Sequence, residues 1–431
     1  MNRRTAVHLI AGAVAGASLS REGRAVEKRV VAAPPTAADD AFLDDFERRG
    51  CLYFTEQVSG VTGQVLDRAR ARNVTGARDS RTTASIAATG FGLSALCIAD
   101  KRGYHPSAQV REQVRRTLRF HANELRHEHG FFYHFNNVDT AQPKSWSEVS
   151  SIDTGILLCG VLTARAYFAG DAEIVRLATK IYERVDWPWF LAGGTTFSMG
   201  WGRDSGFLKL RWDHYCEMMM LPLLAMASPT HPVDAAAWRA WARPKTSYHG
   251  FDYIGGPDPL FVHQYSHAWF DFRKKRDEYA NYFTNSVLAT RAHKVFCQNL
   301  GRPYSQDYWG ITASDSKFGY HAWGGPPSIG GVDGTVVPCA AAGSLPFASA
   351  DCLRVLQALK ADYGESTWNR YGFCDAFHPE ARWYDEDVLG IDVGIGVLMA
   401  ENLRSGFIWE TFARNPEVGV AFRKAGFRPA S

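Results

Sequence analysis

The sequence predicts an all-α protein with an (α/α)6 barrel, a toroid of six helical hairpins whose long loops form a substrate cleft. Segments that are apolar almost all round recur roughly every sixty residues, and amphipathic helices follow them. Extended patterns are weak and confined to loops such as 130–136 and 195–200. A helix that is apolar on every side must be enclosed, whereas a one-faced helix lies outside it, so the two kinds predict two concentric layers.

The N-terminus has the pattern of an export signal. Residues 1–20 begin with Arg3 and Arg4, continue through an apolar stretch and end in small residues. The paired arginines also fit twin-arginine export, although Thr-Ala-Val follows them in place of the usual bulky pair. An amphipathic anchoring helix is the alternative. We expect a periplasmic or secreted protein, with a linker at 21–40 and one folded domain at 41–431.

Six apolar helices are expected in the inner layer. Two of them share the form I-D-x-G-I at 152–156 and 391–395, which supports an internal repeat. The expected inner helices begin near Ala84, Ser151, Asp213, Gln264, Thr335 and Ile391. The outer, one-faced helices are expected at 110–125, 171–185, 233–243, 278–299 and 348–364.

Composition and motifs exclude several classes of protein. With 48 Lys+Arg against 45 Asp+Glu, the chain has no basic footprint for nucleic acid. The apolar run Leu9–Leu19 is too short for stable membrane insertion. No P-loop, dinucleotide fingerprint or G-x-S-x-G elbow is present, so we expect no cofactor. The eight cysteines form no C-x-x-C pair and no zinc spacing, which favours free buried thiols and no metal.

Acidic residues stand where the inner helices begin. If these helices run the same way, their N-termini surround one end of the ring, and acids far apart in sequence meet there. Glu217 is followed by Met218 and further apolar residues, whose surroundings raise a carboxyl pKa, while the dipole at a helix start lowers it. Asp392 and Glu148 are the other catalytic candidates, since glycoside hydrolysis uses paired carboxyls. Asp153 contacts substrate or closes a helix cap with Ser150.

The loops are rich in aromatic residues of the kind that stack on sugar rings. Flat aromatic faces contact the C–H faces of pyranoses, and the polar edges of Trp, Tyr and His bind hydroxyls. Packing in the core is the alternative for each ring. The histidines of His263-Gln264-Tyr265-Ser266-His267 have a spacing that can bind metal, but sugar binding or packing is favoured. The substrate-binding candidates are Trp146, Trp201, Trp212, Tyr265, His267, Trp269, Trp309 and Trp383, besides Asp153.

Ten collinear blocks resemble one family over roughly residues 41–428. These blocks together are specific. They include Ala84–Leu96, Gly130–Phe135, Ser147–Thr154, Trp212–Glu217, His263–Arg273, Asp333–Phe347, Tyr371–Phe377 and Leu389–Gly394. They resemble the bacterial glucoamylase-like family that includes glycoside hydrolase family 144, the endo-β-1,2-glucanases. The resemblance implies an exported (α/α)6 enzyme that hydrolyses β-1,2-glucan to sophorose-type oligosaccharides with inversion, and its acidic motif positions fall on Glu148, Glu217 and Asp392.

The sequence departs from that family beside the acid. Family members more often have Gly and Asn where this chain has His214 and Cys216, which alters sugar contacts there. We expect Glu217 to be the general acid, Asp392 the base that activates water, and Glu148 to position sugar or water. The alternatives are a non-hydrolytic carbohydrate-binding toroid, an exo-acting enzyme on another linkage, and a polysaccharide lyase using Tyr265 and His267. We expect a monomer whose partner is an oligo- or polysaccharide.

Overall fold

The computed structural model describes residues 35–430. The predicted signal at 1–20 and most of the predicted linker lie outside the described residues. The first helix begins at Ala37, inside the range assigned to the linker, so that boundary is wrong. Thr36 and Asp39 form a capping box there, which satisfies free N–H groups of the first turn and starts the helix early.

Fifteen α-helices run through the described residues, joined by two 3-10 turns at Glu217–Met219 and Leu260–His263. In chain order the helices are α1 (Ala37–Glu56), α2 (Ile86–Arg102), α3 (Ser107–Asn123), α4 (Ser151–Tyr167), α5 (Ala172–Glu183), α6 (Trp187–Leu191), α7 (Met220–Ala227), α8 (Ala236–Arg239), α9 (Tyr265–Trp269), α10 (Tyr282–Leu300), α11 (Pro338–Ala342), α12 (Ser349–Thr367), α13 (Gly390–Arg404), α14 (Phe407–Ala413) and α15 (Pro416–Lys424).

The strands are short and lie in the loops, as expected, although they are more numerous than the sequence indicates. They pair antiparallel in twos, except that β6, β7 and β8 form one three-stranded sheet. The strands are β1 (Arg68–Arg70), β2 (Thr83–Ser85), β3 (His127–Glu128), β4 (Phe131–Phe132), β5 (Phe135–Asn137), β6 (Val149–Ser150), β7 (Gly200–Gly202), β8 (Gly206–Phe207), β9 (Lys245–Tyr248), β10 (Phe251–Ile254), β11 (Lys275–Arg276), β12 (Ala313–Ser314), β13 (His321–Ala322), β14 (Trp368–Asn369), β15 (Gly372–Phe373), β16 (Phe377–His378), β17 (Trp383–Tyr384), β18 (Asp387–Leu389) and β19 (Arg428–Pro429).

Buried helical segments form a closed ring. Helix α2 contacts α4, α4 contacts α7, the two 3-10 turns contact each other, α11 contacts α13, and α13 returns to α2. Gln264 Nε2 closes the remaining gap by donating to the Ala340 carbonyl of α11 at 2.9 Å. Helices α2, α4 and α13 are buried on almost every side, as their apolar sequences predict. The fold is therefore an α/α toroid.

The ring helices run in the same direction and approach closely. Gly90 of α2 faces the Ile156 backbone of α4, and Gly160 lies so near that an added Cβ would be 2.0 Å from the Gly90 carbonyl oxygen. Gly394 of α13 packs in the same way on Phe91 of α2. Early residues of one helix meet early residues of the next, so the N-termini of these helices share one end of the ring.

Three of the inner segments are shorter than predicted. The third starts with the turn at Glu217 and not at Asp213, whose side chain is exposed. The fourth consists of one 3-10 turn and the single-turn helix α9, and the fifth is the five-residue helix α11. Side chains such as Gln264 bind the backbone groups that a longer helix would have paired internally. The shorter segments leave irregular backbone around the end of the ring.

The outer layer follows the predicted amphipathic helices in most places. Helices α3, α5, α10 and α12 match four of the five predicted segments, whereas the segment at 233–243 forms only the single turn α8. Helix α1 packs against α2 and α13 and was not predicted. The centre of the ring is filled, since the Phe91 ring lies 4.9 Å from that of Trp269. No helix within residues 35–430 combines the length and apolarity needed to cross a membrane.

We predict that Gly160→Ala lowers the free energy of unfolding by about 1–3 kcal/mol, because the new Cβ overlaps the Gly90 carbonyl and forces α2 and α4 apart. Denaturant unfolding of the purified protein measures this. Gly170→Ala is the matched control, since nothing lies within 4 Å of a Cβ at that position. Equal stability of the two variants would contradict the close packing of α2 on α4.

Candidate active site

The predicted acids lie at the end of the ring where the buried segments begin. Asp153 is in the first turn of α4, Glu217 opens the third segment and Asp392 is in the first turn of α13. Backbone hydrogen bonds tie these ends together through short strands. Ile86 N donates to His134 O, His134 N donates to Glu148 O, and Gly390 N donates to Asp67 O. The loops thus join helix starts that are distant in sequence.

Glu217 has the environment of a carboxyl group that keeps its proton. Its side chain is 7% exposed, and Oε2 is buried without a hydrogen-bond partner among the described residues. Burial raises the pKa of Glu217 from 4.5 to about 7, since the charged form loses its hydration. Ser266 fixes the turn, because its hydroxyl donates to the Glu217 carbonyl at 2.6 Å and accepts from Met220 N at 3.0 Å.

Two neighbouring acids add to the shift. The carboxylates of Asp258 and Asp153 both raise the pKa of Glu217 through charge repulsion. The backbone N–H of Glu217 and the thiol of Cys216 hydrogen-bond its carboxylate and lower the pKa, but burial outweighs them. Asp258 is itself largely buried, and burial raises its pKa as well. The carboxyls of these acids therefore repel one another, and each favours the neutral form of its neighbours.

A histidine joins Glu148 and Asp153. His134 Nδ1 lies 3.2 Å from Glu148 Oε1, and its Nε2 lies 3.3 Å from Asp153 Oδ1. The imidazole also stacks on Phe135, with ring centroids 3.6 Å apart. One side chain thus holds two carboxyls on adjacent loops, and it brings Glu148 to the start of α4.

Asp153 takes part in the cap of α4. The Ser150 hydroxyl accepts a hydrogen bond from Asp153 N at 3.1 Å and forms a second one with Asp153 Oδ2. The capping interpretation is therefore confirmed for this residue. Its carboxyl also faces His134 and lies near Glu217, so the same side chain borders the acidic group.

Asp392 belongs to a second acidic group formed by loops around the start of α13. Its carboxyl hydrogen-bonds with the side chains of Asp375 and Cys339. Asp315 N donates to Asp375 Oδ2 at 2.8 Å, and Arg68 Nη1 lies 2.5 Å from Asp315 Oδ2. Burial and the neighbouring carboxyls raise the pKa of Asp375 well above its usual range. Asp375 and Asp392 line the same small cavity beside α1.

The predicted aromatic residues divide into surface and core. Trp146 is 54% exposed and packs on Phe135, while Trp201 and Trp383 are partly exposed in β7 and β17. Trp212 and Tyr265 are buried; Trp212 Nε1 donates to Ser151 Oγ at 2.9 Å. Trp146, Trp201 and Trp383 therefore stay the candidates for contact with a sugar, whereas Trp212 supports the start of α4.

Three predicted binding residues are wrong, because they lie in the core. His267 and Trp269 belong to α9 and Trp309 to the loop before β12, and all three are buried at 1% exposure or less. His267 is held by Ser286 at 3.1 Å and by aromatic rings, and burial lowers its pKa to about 3. Trp269 Nε1 donates to Ser94 Oγ at 2.9 Å. Tyr265, the partner of His267 in the lyase alternative, is also buried, at 5% exposure.

Four residues that support the acids were not predicted. His134, Asp258 and Asp375 lie in loops and Arg68 in the short strand β1, and all face the acidic groups where no helical pattern marks them. Two of them could have been found from the sequence. His134 lies in the family-like block Gly130–Phe135 and Asp375 in the block Tyr371–Phe377, but the sequence suggests no role for either residue.

Two groups among the described residues bring three possible metal ligands together. They are His134–Glu148–Asp153 and Asp315–Asp385–Asp387. In the first group the histidine already pairs both carboxyls, and in the second Arg68 and Arg81 pair Asp315 and Asp387. Side chains of the protein thus already contact carboxyls in both groups, and we assign neither group to a metal.

The eight cysteines are all free, as the sequence analysis favoured, and seven of them are buried. Cys216 and Cys339 stand out because their thiols contact the carboxyls of Glu217 and Asp392. Burial raises the pKa of both thiols, so they stay neutral and act as weak hydrogen-bond donors.

Comparison with known proteins gives consistent matches. The Glycoamylase family model, for glucoamylase-like proteins, matches residues 209–416, a range that contains Glu217 and Asp392. The exo β-1,2-glucooligosaccharide sophorohydrolase (non-reducing end) of Parabacteroides distasonis is 25% identical, and the alignment covers 90% of this chain. This chain spans only 58% of that relative's length.

Solved structures share the fold. The endo-β-1,2-glucanase of Chitinophaga pinensis matches with a TM-score of 0.84 and 26% identity, over 91% of this chain and 99% of that one. A β-1,2-glucanase structure from Parabacteroides distasonis matches with a TM-score of 0.82 and 23% identity, over 91% and 60% of the two chains. These matches confirm the resemblance to the glucoamylase-like family, and the α/α toroid with it.

We predict that Glu217→Gln stabilises the protein at alkaline pH and not at acidic pH. The folded state holds the proton of Glu217 up to about pH 7, whereas the unfolded chain releases it near 4.5. Wild-type stability therefore falls as the pH rises through this window, and the amide removes that loss. Between pH 4 and pH 8, the free energy of unfolding of the variant should rise by about 3 kcal/mol relative to that of wild type.

Denaturant unfolding at the two pH values measures this gain. The control is Glu386→Gln, since the Glu386 side chain is largely exposed and its carboxyl pairs with Arg70 at the surface. If the Glu217 variant shows no more pH dependence than this control, the buried carboxyl does not retain its proton.

Proposed function

Because the chain resembles the glucoamylase-like family, we propose that it is a glycoside hydrolase acting on β-1,2-glucan. The observation that carries the proposal is Glu217, a buried carboxyl with a pKa near 7 at the end of the ring where a second acidic group surrounds Asp392. Acid/base glycoside hydrolysis requires two carboxyls in different environments, so that one is protonated while the other is ionised. The names of the matched sophorohydrolase and endo-β-1,2-glucanase support the linkage.

In this mechanism Glu217 is the general acid. A carboxyl that is still protonated near neutral pH can give its proton to the glycosidic oxygen as the bond to the sugar carbon breaks. Burial supplies this property, and the neighbouring carboxyls of Asp258 and Asp153 reinforce it. Once the proton has left, the carboxylate regains it from solvent before the next turnover.

Asp392 is the general base in the same proposal. It takes a proton from the attacking water, which adds to the anomeric carbon from the face opposite the leaving group and inverts the configuration. Inverting enzymes separate the two carboxyls by about 6.5–9.5 Å to leave room for that water. Glu148, held by His134, positions the sugar or the water.

The surface aromatic residues supply the sugar subsites. Trp146, Trp201 and Trp383 are the predicted tryptophans with exposed ring surface, so they are the ones able to stack on glucose units. We propose short, sophorose-type products. By name, one matched relative is exo-acting and the other is endo-acting. The length of the products will show whether this chain cleaves at chain ends or within the chain.

We also propose that the toroid is a complete (α/α)6 barrel of an exported monomer. Support for the count comes from the six buried segments that close the ring and from outer helices such as α1, α3 and α12 around it. Support for export comes from the signal-like residues 1–20.

We predict that the purified protein releases sophorose-type oligosaccharides from β-1,2-glucan and is inactive on β-1,3-, β-1,4- and α-1,4-glucans. Glu217→Gln and Asp392→Asn should each lower kcat by at least about 100-fold, because each removes proton transfer at one oxygen. In the wild type, kcat/KM should fall as the pH rises above about 7, where Glu217 loses its proton. Product chromatography and reducing-end assays measure both effects.

Asp213→Asn is the matched control for these variants. Asp213 is an acid four residues before Glu217, but its side chain is exposed and pairs with His214. It should keep near-normal activity. Binding of β-1,2-glucan without release of reducing ends would favour a carbohydrate-binding toroid, and near-normal activity of Glu217→Gln would exclude Glu217 as the acid.

We predict that the full chain is exported and that its first 20 residues are removed. Expression with a C-terminal tag in a Gram-negative host, followed by fractionation, should find the shortened protein outside the cytoplasm. Replacing Arg3 and Arg4 by Lys tests the route, since twin-arginine export is blocked by this change and Sec export is not. Full-length protein confined to the cytoplasm would contradict the proposal.

A further inference from the structure

We propose that Asp375 is a positioning residue that stays a neutral carboxylic acid and donates its proton to Asp392 in a hydrogen bond. The inference rests on the proposed function, because it assigns a partner to the base of that mechanism. The contacts that hold Asp375, the hydrogen-bond requirements of its two oxygens and the charges that surround it each support the assignment.

The backbone around Asp375 fixes its carboxyl in one place. Asp375 lies between β15 and β16 and is 4% exposed. Its N–H donates to the Asp387 carbonyl at 2.9 Å, and its Oδ2 accepts from Asp315 N at 2.8 Å. One oxygen is therefore committed to a backbone donor, and only the other oxygen is available to a second partner.

The second oxygen needs a proton. Asp375 Oδ1 is buried and meets no donor within the part of the chain that the structure describes. The side chain instead hydrogen-bonds with the carboxyl of Asp392. Two carboxylates have only acceptors, so a hydrogen bond between them exists only when one of the two carries a proton.

The surroundings place that proton on Asp375. Burial and the carboxyls of Asp392, Asp315 and Asp385 raise its pKa well above the usual range. The arginines in this region pair other carboxyls: Arg68 is 2.5 Å from Asp315 and 3.8 Å from Asp387, and Arg81 is 2.9 Å from Asp387.

The remaining titratable neighbours do not change this assignment. The Cys339 thiol contacts Asp392, and the Cys374 thiol donates to the Ala376 carbonyl at 3.4 Å. Burial raises the pKa of both thiols, so they stay neutral. Burial also raises the pKa of Asp385 to about 7.

A neutral Asp375 has a specific effect on Asp392. Its O–H occupies one lone pair of the Asp392 carboxylate, which favours the ionised form of Asp392 and fixes the direction of the remaining lone pairs. An ionised Asp375 would instead repel Asp392 and raise its affinity for protons. The base is thus kept both charged and oriented by an acid that never transfers a proton to substrate.

Asp375→Asn distinguishes these two states. An asparagine reproduces a neutral aspartic acid, because its amide oxygen can accept from Asp315 N and its NH₂ group can donate to Asp392. We expect Asp375→Asn to keep kcat within about fivefold of wild type and to leave the acidic limb of the pH profile in place. Asp375→Leu has no donor, and we expect it to lower kcat by at least about tenfold and to move the acidic limb to higher pH.

Three results would overturn the proposal. A loss of activity in Asp375→Asn as large as that in Asp392→Asn would show that Asp375 acts as an ionised carboxylate. Asp375→Leu with normal kcat and an unchanged pH profile would show that the bond to Asp392 has no effect. A folded Asp375→Asn with a shifted acidic limb would show that the amide does not replace the acid. Thermal unfolding of each variant establishes that it is folded.

An infrared difference spectrum tests the proton without any substrate. Wild type minus Asp375→Asn at pH 8 should contain the C=O stretch of a protonated carboxylic acid, and its absence would overturn the proposal. This result stands even if Asp375→Leu fails to fold. It also separates the two proposals: a wild type that cleaves no β-1,2-glucan defeats the proposed function, whereas the spectrum still reports whether Asp375 is neutral.

Discussion

The close, parallel packing of the buried ring helices is the constraint on which the rest of the structure depends. Gly90 and Gly160 let α2 and α4 touch through their backbones, and Gly394 of α13 leaves room for the Phe91 side chain of α2. Helices packed in this way start at one end of the ring. Asp153, Glu217 and Asp392 lie far apart in the sequence and come to that end only because the helices share a direction.

Crowding of carboxyls at that end determines their chemistry. Burial alone raises a carboxyl pKa, and each further acid nearby raises it again. Some carboxyls of a crowded group therefore stay protonated and uncharged. Glu217 keeps a proton among Asp258 and Asp153, and Asp375 keeps one beside Asp392. At the edge of these groups Arg68 pairs Asp315, and the His134 imidazole lies between Glu148 and Asp153. In the proposed mechanism this arrangement leaves a proton donor in one group and a charged acceptor in the other.

Sequence patterns predicted the long helices well, because apolar periodicity reports burial directly. The boundaries of α2, α4, α5 and α13 follow the expected segments closely, and Asp153 and Asp392, at the starts of α4 and α13, were found for this reason. The failures have a common cause. The third to fifth inner segments are held by side chains such as Gln264 and Ser266, which no periodicity reveals. Aromatic content does not show whether a tryptophan lies in the core or lines a cleft, and Trp269 and Trp309 lie in the core.

The cysteines beside the two carboxyls show how weak donors suit this site. A thiol is a poorer hydrogen-bond donor than an amide N–H group. A strong donor would stabilise the charged form of Glu217 and lower its pKa, which works against proton donation. Cys216 contacts the carboxyl, yet burial still raises the pKa of Glu217 to about 7. The proposed mechanism needs the opposite at Asp392, because a general base must stay charged, and there the carboxyl of Asp375 stands in addition to the thiol of Cys339. In that proposal the donor at each carboxyl matches the direction in which its proton moves.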